Sequence, residues 1–229
     1  MTGRGSGVND TLCGMKIQKN DKWVLMGDSV TDAGRSQPVG EGLFDPQGKG
    51  YVNFILALFG AVCPERNVRI VNMGTSGNTS RDLRGRWQRD CLDLNPDWVS
   101  IMIGVNDVWR QFDMPLIKEA HIGLKEYEEN LRWMAEQSLP KVKGLILATP
   151  YVLEANKKDA MRVRMDQYGA VVRKLAKEYK VLLVDTQAAF DAFFKAHHTM
   201  ALAWDRIHPN QTGHMILARA FLKTVEFQY

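Results

Sequence analysis

Two segments far apart in the chain hold a serine, a histidine and an aspartate in an order that could move an acyl group. Ser29 stands in Gly27-Asp28-Ser29-Val30, and His208 ends Asp205-Arg206-Ile207-His208. A serine hydroxyl is a poor nucleophile at neutral pH and needs a base within hydrogen-bond reach to take its proton. Imidazole suits that task because its pKa lies near the working pH. A carboxylate three residues before it, on one tight loop, can hold Nδ1–H and leave Nε2 facing the hydroxyl. Taken alone, the first tetrapeptide equally describes a helix-capping serine, and a single DxxH is common by chance.

Two further segments supply what such a reaction also requires. The tetrahedral intermediate of acyl transfer develops a negative oxygen, which needs donors already in place around it. Asn106, in Gly104-Val105-Asn106-Asp107, offers a side-chain amide, and Gly77, in Ser76-Gly77-Asn78, offers a backbone N–H where a Cβ would obstruct a substrate. The Ser29 N–H, at the start of a helical segment, is a third donor. Asn106-Asp107 as a plain turn and Gly77 as a left-handed position are the simpler readings of each segment in isolation. The order and spacing of all four segments favour the chemical one.

These residues need a scaffold that brings them together, and the apolar periodicity describes one. Strand-like runs occur at Trp23–Met26, Val68–Val71, Trp98–Ile103, Leu145–Ala148 and Val181–Val184. Helical patterns cover Tyr51–Phe59, Arg81–Leu92, Leu124–Gln137, Ala160–Glu178, Gln187–Lys195 and Met215–Val225, the last with Asn210 as N-cap. Strands alternating with helices predict a three-layer α/β/α fold around a five-stranded parallel, flavodoxin-like sheet. The first three chemical segments then fall at the carboxyl ends of strands, where open α/β sheets place their ligands. The stretch Gly34–Gly50, rich in glycine, is expected to lie over that same end, as a functional loop or as plain surface.

With the four blocks assembled, the chain resembles the SGNH (GDSL-type) hydrolases: Ser29 in GDSV, Gly77 within Asn72–Thr79, Asn106 in GVND, and Asp205 with His208 in DRIHP. Ile101–Arg110 and Ala201–Arg206 look most like the intracellular acetylxylan esterases of that superfamily. The resemblance spans about residues 15–225. It implies removal of acetyl groups from xylo-oligosaccharides without a metal or other cofactor, by a homo-oligomeric cytoplasmic enzyme. An acetylated sugar would need a ring-binding surface, for which Trp109, Arg110, Tyr151 and Trp204 are the candidates; Trp204 could equally wedge the catalytic loop. Three alternatives stand beside this: a general esterase or thioesterase, an acyltransferase, and a non-catalytic carbohydrate-binding protein.

Composition narrows the remaining possibilities. The 229 residues fit one domain, expected over 15–229, with 1–14 a flexible lead and Met15 an alternative start. The net charge of +4 comes without an aromatic-plus-basic recognition motif, so no nucleic-acid partner is expected; Arg81, Arg84, Arg86, Arg89, Arg173 and Lys177 fall mostly at the spacing of a solvated helix face. Cys13, Cys63 and Cys91 make no CxxC pair and suit a reducing compartment. No apolar run approaches the ~18 residues of a membrane span, and no signal-peptide core is present. His197, His198, His208 and His214 lack metal-ligand spacing.

Overall fold

Strand residues buried on both sides should form an uninterrupted apolar run, with successive side chains entering opposite cores. Trp23 and Leu25 enter one core, and Val24 and Met26 the other. The computed structural model describes residues 15–228; the lead expected over 1–14, Cys13 included, lies outside the described residues. The strands are β1 Lys22–Gly27, β2 Arg69–Gly74, β3 Trp98–Met102, β4 Gly144–Ala148 and β5 Leu182–Val184. All pairs are parallel, in the order β2-β1-β3-β4-β5. This is the expected flavodoxin-like sheet, and its order reverses at β1.

The helices are α1 Ser29–Asp32, α2 Tyr51–Val62, α3 Ser80–Gly85, α4 Trp87–Asp90, α5 Val105–Asp113, α6 Leu124–Ser138, α7 Ala160–Tyr179, α8 Thr186–Phe193 and α9 Gln211–Thr224. Helices α3 to α7 cover one face with Leu83, Trp87, Val108, Leu131, Met165 and their neighbours. Helices α2, α8 and α9 cover the other with Tyr51, Ile55, Phe190, Leu217 and Phe221. The Asn210 side chain accepts from the Gly213 N–H at 3.3 Å, so it caps α9 as expected, although the helix begins at Gln211 rather than Met215.

Three expectations need correction. The helix expected over Arg81–Leu92 breaks at Arg86 (φ −104°, ψ 5°), because this guanidinium turns inward to the Gly27 carbonyl at 3.0 Å and to Asn78 Oδ1 at 2.7 Å. Asn106 and Asp107 lie in the first turn of a nine-residue helix, α5, that the periodicity did not reveal. The Gly34–Gly50 loop does not lie wholly over the carboxyl end of the sheet. Gly40 pairs with Asn72 of β2 in an antiparallel bridge, N–H to carbonyl at 3.1 and 3.0 Å, which shields part of an otherwise open sheet edge.

The register sets the site. Gly27 of β1 lies level with both Gly74 of β2 and Met102 of β3, so the three loops that follow emerge side by side.

Candidate active site

After β1 the chain must turn into α1 against its neighbours. An added Cβ at Gly27 would come within 2.1 Å of Thr31 Oγ1 and 2.7 Å of the Met102 carbonyl, which only glycine avoids. Asp28 caps α1 by accepting from the Val30 N–H at 3.0 Å. Burial pushes its carboxyl up to about 6 despite that hydrogen bond and the nearby His208. Ser29 is thereby the first residue of α1, where a helix leaves its N–H groups without intrahelical partners.

The loop after β2 is tied to this turn by three hydrogen bonds. The Thr75 N–H donates to the Gly27 carbonyl at 3.1 Å, and Ser76 donates to Asp32 Oδ2 from both its N–H (3.0 Å) and its hydroxyl (2.7 Å). Gly77 follows at φ +82°, and nothing lies within 4 Å of an added Cβ there. Its glycine thus serves the backbone conformation, and the space beside it is open to a substrate. Thr79 and Asp82 then start α3 with a reciprocal capping box.

The loop after β3 brings in Asn106, which is 2% exposed. Its Nδ2 donates to the Asn78 carbonyl at 2.9 Å, one residue from Gly77, and its Oδ1 accepts from Arg110 Nη2 at 3.1 Å. Asp107 is fully buried and accepts from the Ser80 N–H at 3.0 and 3.1 Å and from the Ser80 hydroxyl, locking α5 to the start of α3. Burial raises its carboxyl to about 7 in spite of the Ser80 hydrogen bonds.

The fourth segment approaches from the loop before α9. Ser29 Oγ and His208 Nε2 are 2.8 Å apart, and His208 Nδ1 and Asp205 Oδ2 are 2.6 Å apart. Asp205 Oδ1 also accepts from the backbone N–H groups of Ile207 and His208, each at 2.9 Å. Burial alone would raise the Asp205 carboxyl, but the Ile207 N–H and the two His208 contacts outweigh it and hold the pKa below the ordinary value. A hydroxyl, an imidazole and an ionised carboxylate in this line can generate an alkoxide at a carbonyl carbon and stabilise the resulting imidazolium.

The four candidates for ring binding separate. Trp109 is half-buried, with its ring edge-on to His208 at 5.8 Å between centroids. It also borders a recess of about 270 Å³ with Phe112, Asp113, Asp159, Asp205 and Arg206. Arg110 is turned toward Asn106 and pairs with Asp113. Tyr151 is 0% exposed and so offers no surface to a sugar; its hydroxyl donates to the Ile207 carbonyl at 3.0 Å, under the loop that carries His208. Trp204 is 89% exposed and so does not wedge that loop.

Four residues were not singled out from the sequence. Arg86 and Asp32 bind the first two loops together, Asp107 binds the second to the third, and Arg206 anchors the fourth. Arg206 takes a left-handed backbone (φ 69°) and donates to Asp159 Oδ1 at 2.7 Å, with Glu154 at 3.1 Å. Nothing in the sequence pattern marked Arg86, which falls inside a run that reads as one helix over Arg81–Leu92.

The remaining histidines have local partners. His214 Nδ1 accepts from the Tyr51 N–H at 3.2 Å, His198 Nδ1 from the Met200 N–H at 3.2 Å, and His197 stacks on Phe193. Among the described residues no group of three or more His, Cys, Asp or Glu converges as a metal site would require, and no helix is long and apolar enough to cross a membrane.

This sheet and these four loops are those of one family: the chain belongs to the GDSL-like lipase/acylhydrolase family, whose model matches residues 25–216. Among its relatives, an acetylxylan esterase of Geobacillus stearothermophilus is 54% identical over 215 residues, covering 94% of this chain and 98% of the relative. The crystal structure of Axe2, an acetylxylan esterase from that organism, superposes with a TM-score of 0.92 at 54% identity, covering 93% of this chain and 98% of Axe2. Catalytic mutants of Axe2 at a serine, a histidine and an aspartate have also been solved. LAE5, an alpha/beta hydrolase enzyme from the metagenome of Lake Arreo, Spain, superposes with a TM-score of 0.91 at 51% identity, covering 93% and 98% of the two chains.

Proposed function

We propose that this chain is a serine esterase that removes acetyl groups from acetylated xylo-oligosaccharides through an acyl-enzyme. The observation that carries the proposal is the unbroken line from Ser29 Oγ through the His208 ring to Asp205, 2.8 and 2.6 Å at its two links. Ser29 Oγ attacks the acetyl carbonyl carbon and passes its proton to His208 Nε2. Asp205 holds the opposite ring N–H and stabilises the imidazolium. The carbonyl oxygen, now negative, is received by Asn106 Nδ2 and the N–H groups of Gly77 and Ser29. As the intermediate collapses, the carbon–oxygen bond to the sugar breaks and His208 protonates the departing sugar oxygen. Water then repeats the sequence on the acetyl-serine, releasing acetate and restoring the hydroxyl.

On the substrate side, Trp109 would guide a sugar ring; its contact with His208 and with the recess shared with Phe112, Asp113 and Asp159 supports this. Aromatic faces and carboxylates together suit a ring bearing hydroxyl groups. The proposal includes a cytoplasmic homo-oligomer. Leu43 and Phe44, 83% and 96% exposed on the Gly34–Gly50 loop, are apolar groups that a subunit contact would cover.

The decisive experiment measures acetate release from acetylated xylo-oligosaccharides, simple sugar acetates, and p-nitrophenyl acetate and octanoate, with Ser29→Ala as the blank. Fastest turnover on the xylo-oligosaccharides, lost in Ser29→Ala, is the expected result. A preference for octanoate would replace this reading with a generalist esterase, and capture of the acyl group by added sugar in place of water would indicate a transferase.

A further inference from the structure

The Arg110 guanidinium faces the one side-chain donor of the oxyanion site rather than open solvent. We infer that Arg110 is the positioning residue that sets the orientation of the Asn106 amide, so that one of its N–H bonds points to the developing oxyanion. This rests on the ester-hydrolase reading of the same site.

A carboxamide carries an acceptor at one end and two donor hydrogens at the other, and half a turn about its last side-chain bond exchanges them. An exchanged Asn106 would present a carbonyl oxygen to an oxyanion and repel it. Two partners exclude that orientation. Asn106 Oδ1 meets Arg110 Nη2 at 3.1 Å, and guanidinium can only donate. Asn106 Nδ2 meets the Asn78 carbonyl at 2.9 Å, which can only accept. Reversal would set donor against donor and acceptor against acceptor at once. The Asn78 contact occupies one of the two Nδ2 hydrogens, and the other remains for the substrate oxygen.

Arg110 is itself held for this purpose. It lies four residues after Asn106 on α5, the spacing that stacks two side chains on one helix face. A second guanidinium nitrogen pairs with Asp113, three residues further on, and the guanidinium carbon sits 4.7 Å from the Trp109 ring centroid. Asp113 offsets the cationic charge, so the effect on the oxyanion runs through the direction of the Asn106 amide rather than through net charge. Because Trp109 also contacts His208, the same short helix borders both the donor and the base.

Steady-state kinetics of Arg110→Ala, Arg110→Gln, Asn106→Ala and the double variant Arg110→Ala/Asn106→Ala, on p-nitrophenyl acetate and on an acetylated xylo-oligosaccharide, tests the inference. Arg110→Ala should lower kcat roughly ten- to a hundredfold on both esters, the scale of a lost hydrogen bond to a charged group, with KM changed less than about twofold. It should have little further effect once Asn106 is gone. Guanidinium chloride far below its denaturing range should restore part of the kcat of Arg110→Ala and none of that of Asn106→Ala, with sodium chloride at equal ionic strength as control. Arg110→Gln, neutral but able to donate, should lie between wild type and Arg110→Ala. A loss confined to the sugar ester or to KM would make Arg110 a substrate contact. A loss that multiplies undiminished in the Asn106→Ala background would overturn the inference outright. Should Asn106→Ala itself turn over at the parental rate, the oxyanion assignment fails and takes the inference with it.

Discussion

The two halves of the site are built differently. The half that would receive the oxyanion is rooted in strand ends: Asp28, Asn106 and Asp107 are essentially buried, and Arg86, Asp32 and Ser80 cross-link its three loops. The half that would supply the base is one loop, with the His208 side chain 43% exposed and Asp205 19%. It is held from below by the Tyr151 hydroxyl and from the side by Arg206. The difference matches what each half would have to do in the proposed reaction. Donors for a transient charge contribute most when they are fixed in direction beforehand. A base that exchanges protons with a departing alcohol and then with incoming water has to stay within reach of solvent.

That contrast can be broken by substitutions on either side. The largest effect among them belongs to the base half: Asp205→Asn should lower kcat by up to ~10⁴, since the ring loses the partner that sets its tautomer. Stopped-assay rates across pH 5 to 9 would show whether the loss persists at all pH values, as a tautomer fault requires. On the oxyanion half, Asn106→Ala should cost ~10²–10³ in kcat with little change in KM; a change mainly in KM would move Asn106 from the transition state to ground-state binding. Arg86→Ala should destabilise the fold by about 3 kcal/mol, because Asn78 and Gly27 lose a largely buried charged donor and Asp90 keeps only Arg89. Urea unfolding gives the number, and a loss under about 0.5 kcal/mol would mean that the three loops hold without their cross-link.

The smallest effect is one of pH. Burial, with His208 nearby, lowers the His214 pKa from 6.5 to about 4. Between those values the unfolded chain binds a proton that the folded chain refuses, so stability falls on acidification through this window. At pH 5 the deficit is about 2 kcal/mol. Asp28 and Asp107, raised by burial, act in the opposite direction over part of the same range. The comparison is therefore between wild type and His214→Gln, in which those two cancel. Wild type should lose more Tm than the variant between pH 7 and pH 5, and equal losses would assign the pH dependence elsewhere.

Much of this arrangement was legible because chemistry and fold share their punctuation. Gly27, Gly74 and Gly104 close or follow apolar runs, so the reactive segments could be placed at strand ends without coordinates. Helix α5 escaped notice because Val105-Asn106-Asp107 reads as a turn: its first polar residues face inward, to Asn78 and Ser80, which a solvent-facing pattern does not anticipate. Arg86 was grouped with solvated cations for the same reason, although its side chain is 9% exposed. Tyr151 was placed beside substrate because it follows β4. Its true partner, the carbonyl of Ile207, lies 56 residues away in sequence, and no local spacing encodes such a contact. Side chains that support a loop from beneath are visible only once the loop has been folded over them.

The level endings of β1, β2 and β3 restrict how this molecule can be altered. Gly27, Gly74 and Met102 stand in one row, so lengthening any of these three strands by a single position would invert the faces of its side chains and push its loop out of line with the other two. Insertions, tags or grafted peptides therefore belong at the opposite rim of the sheet, where the chain enters the strands and no reacting atom depends on the count.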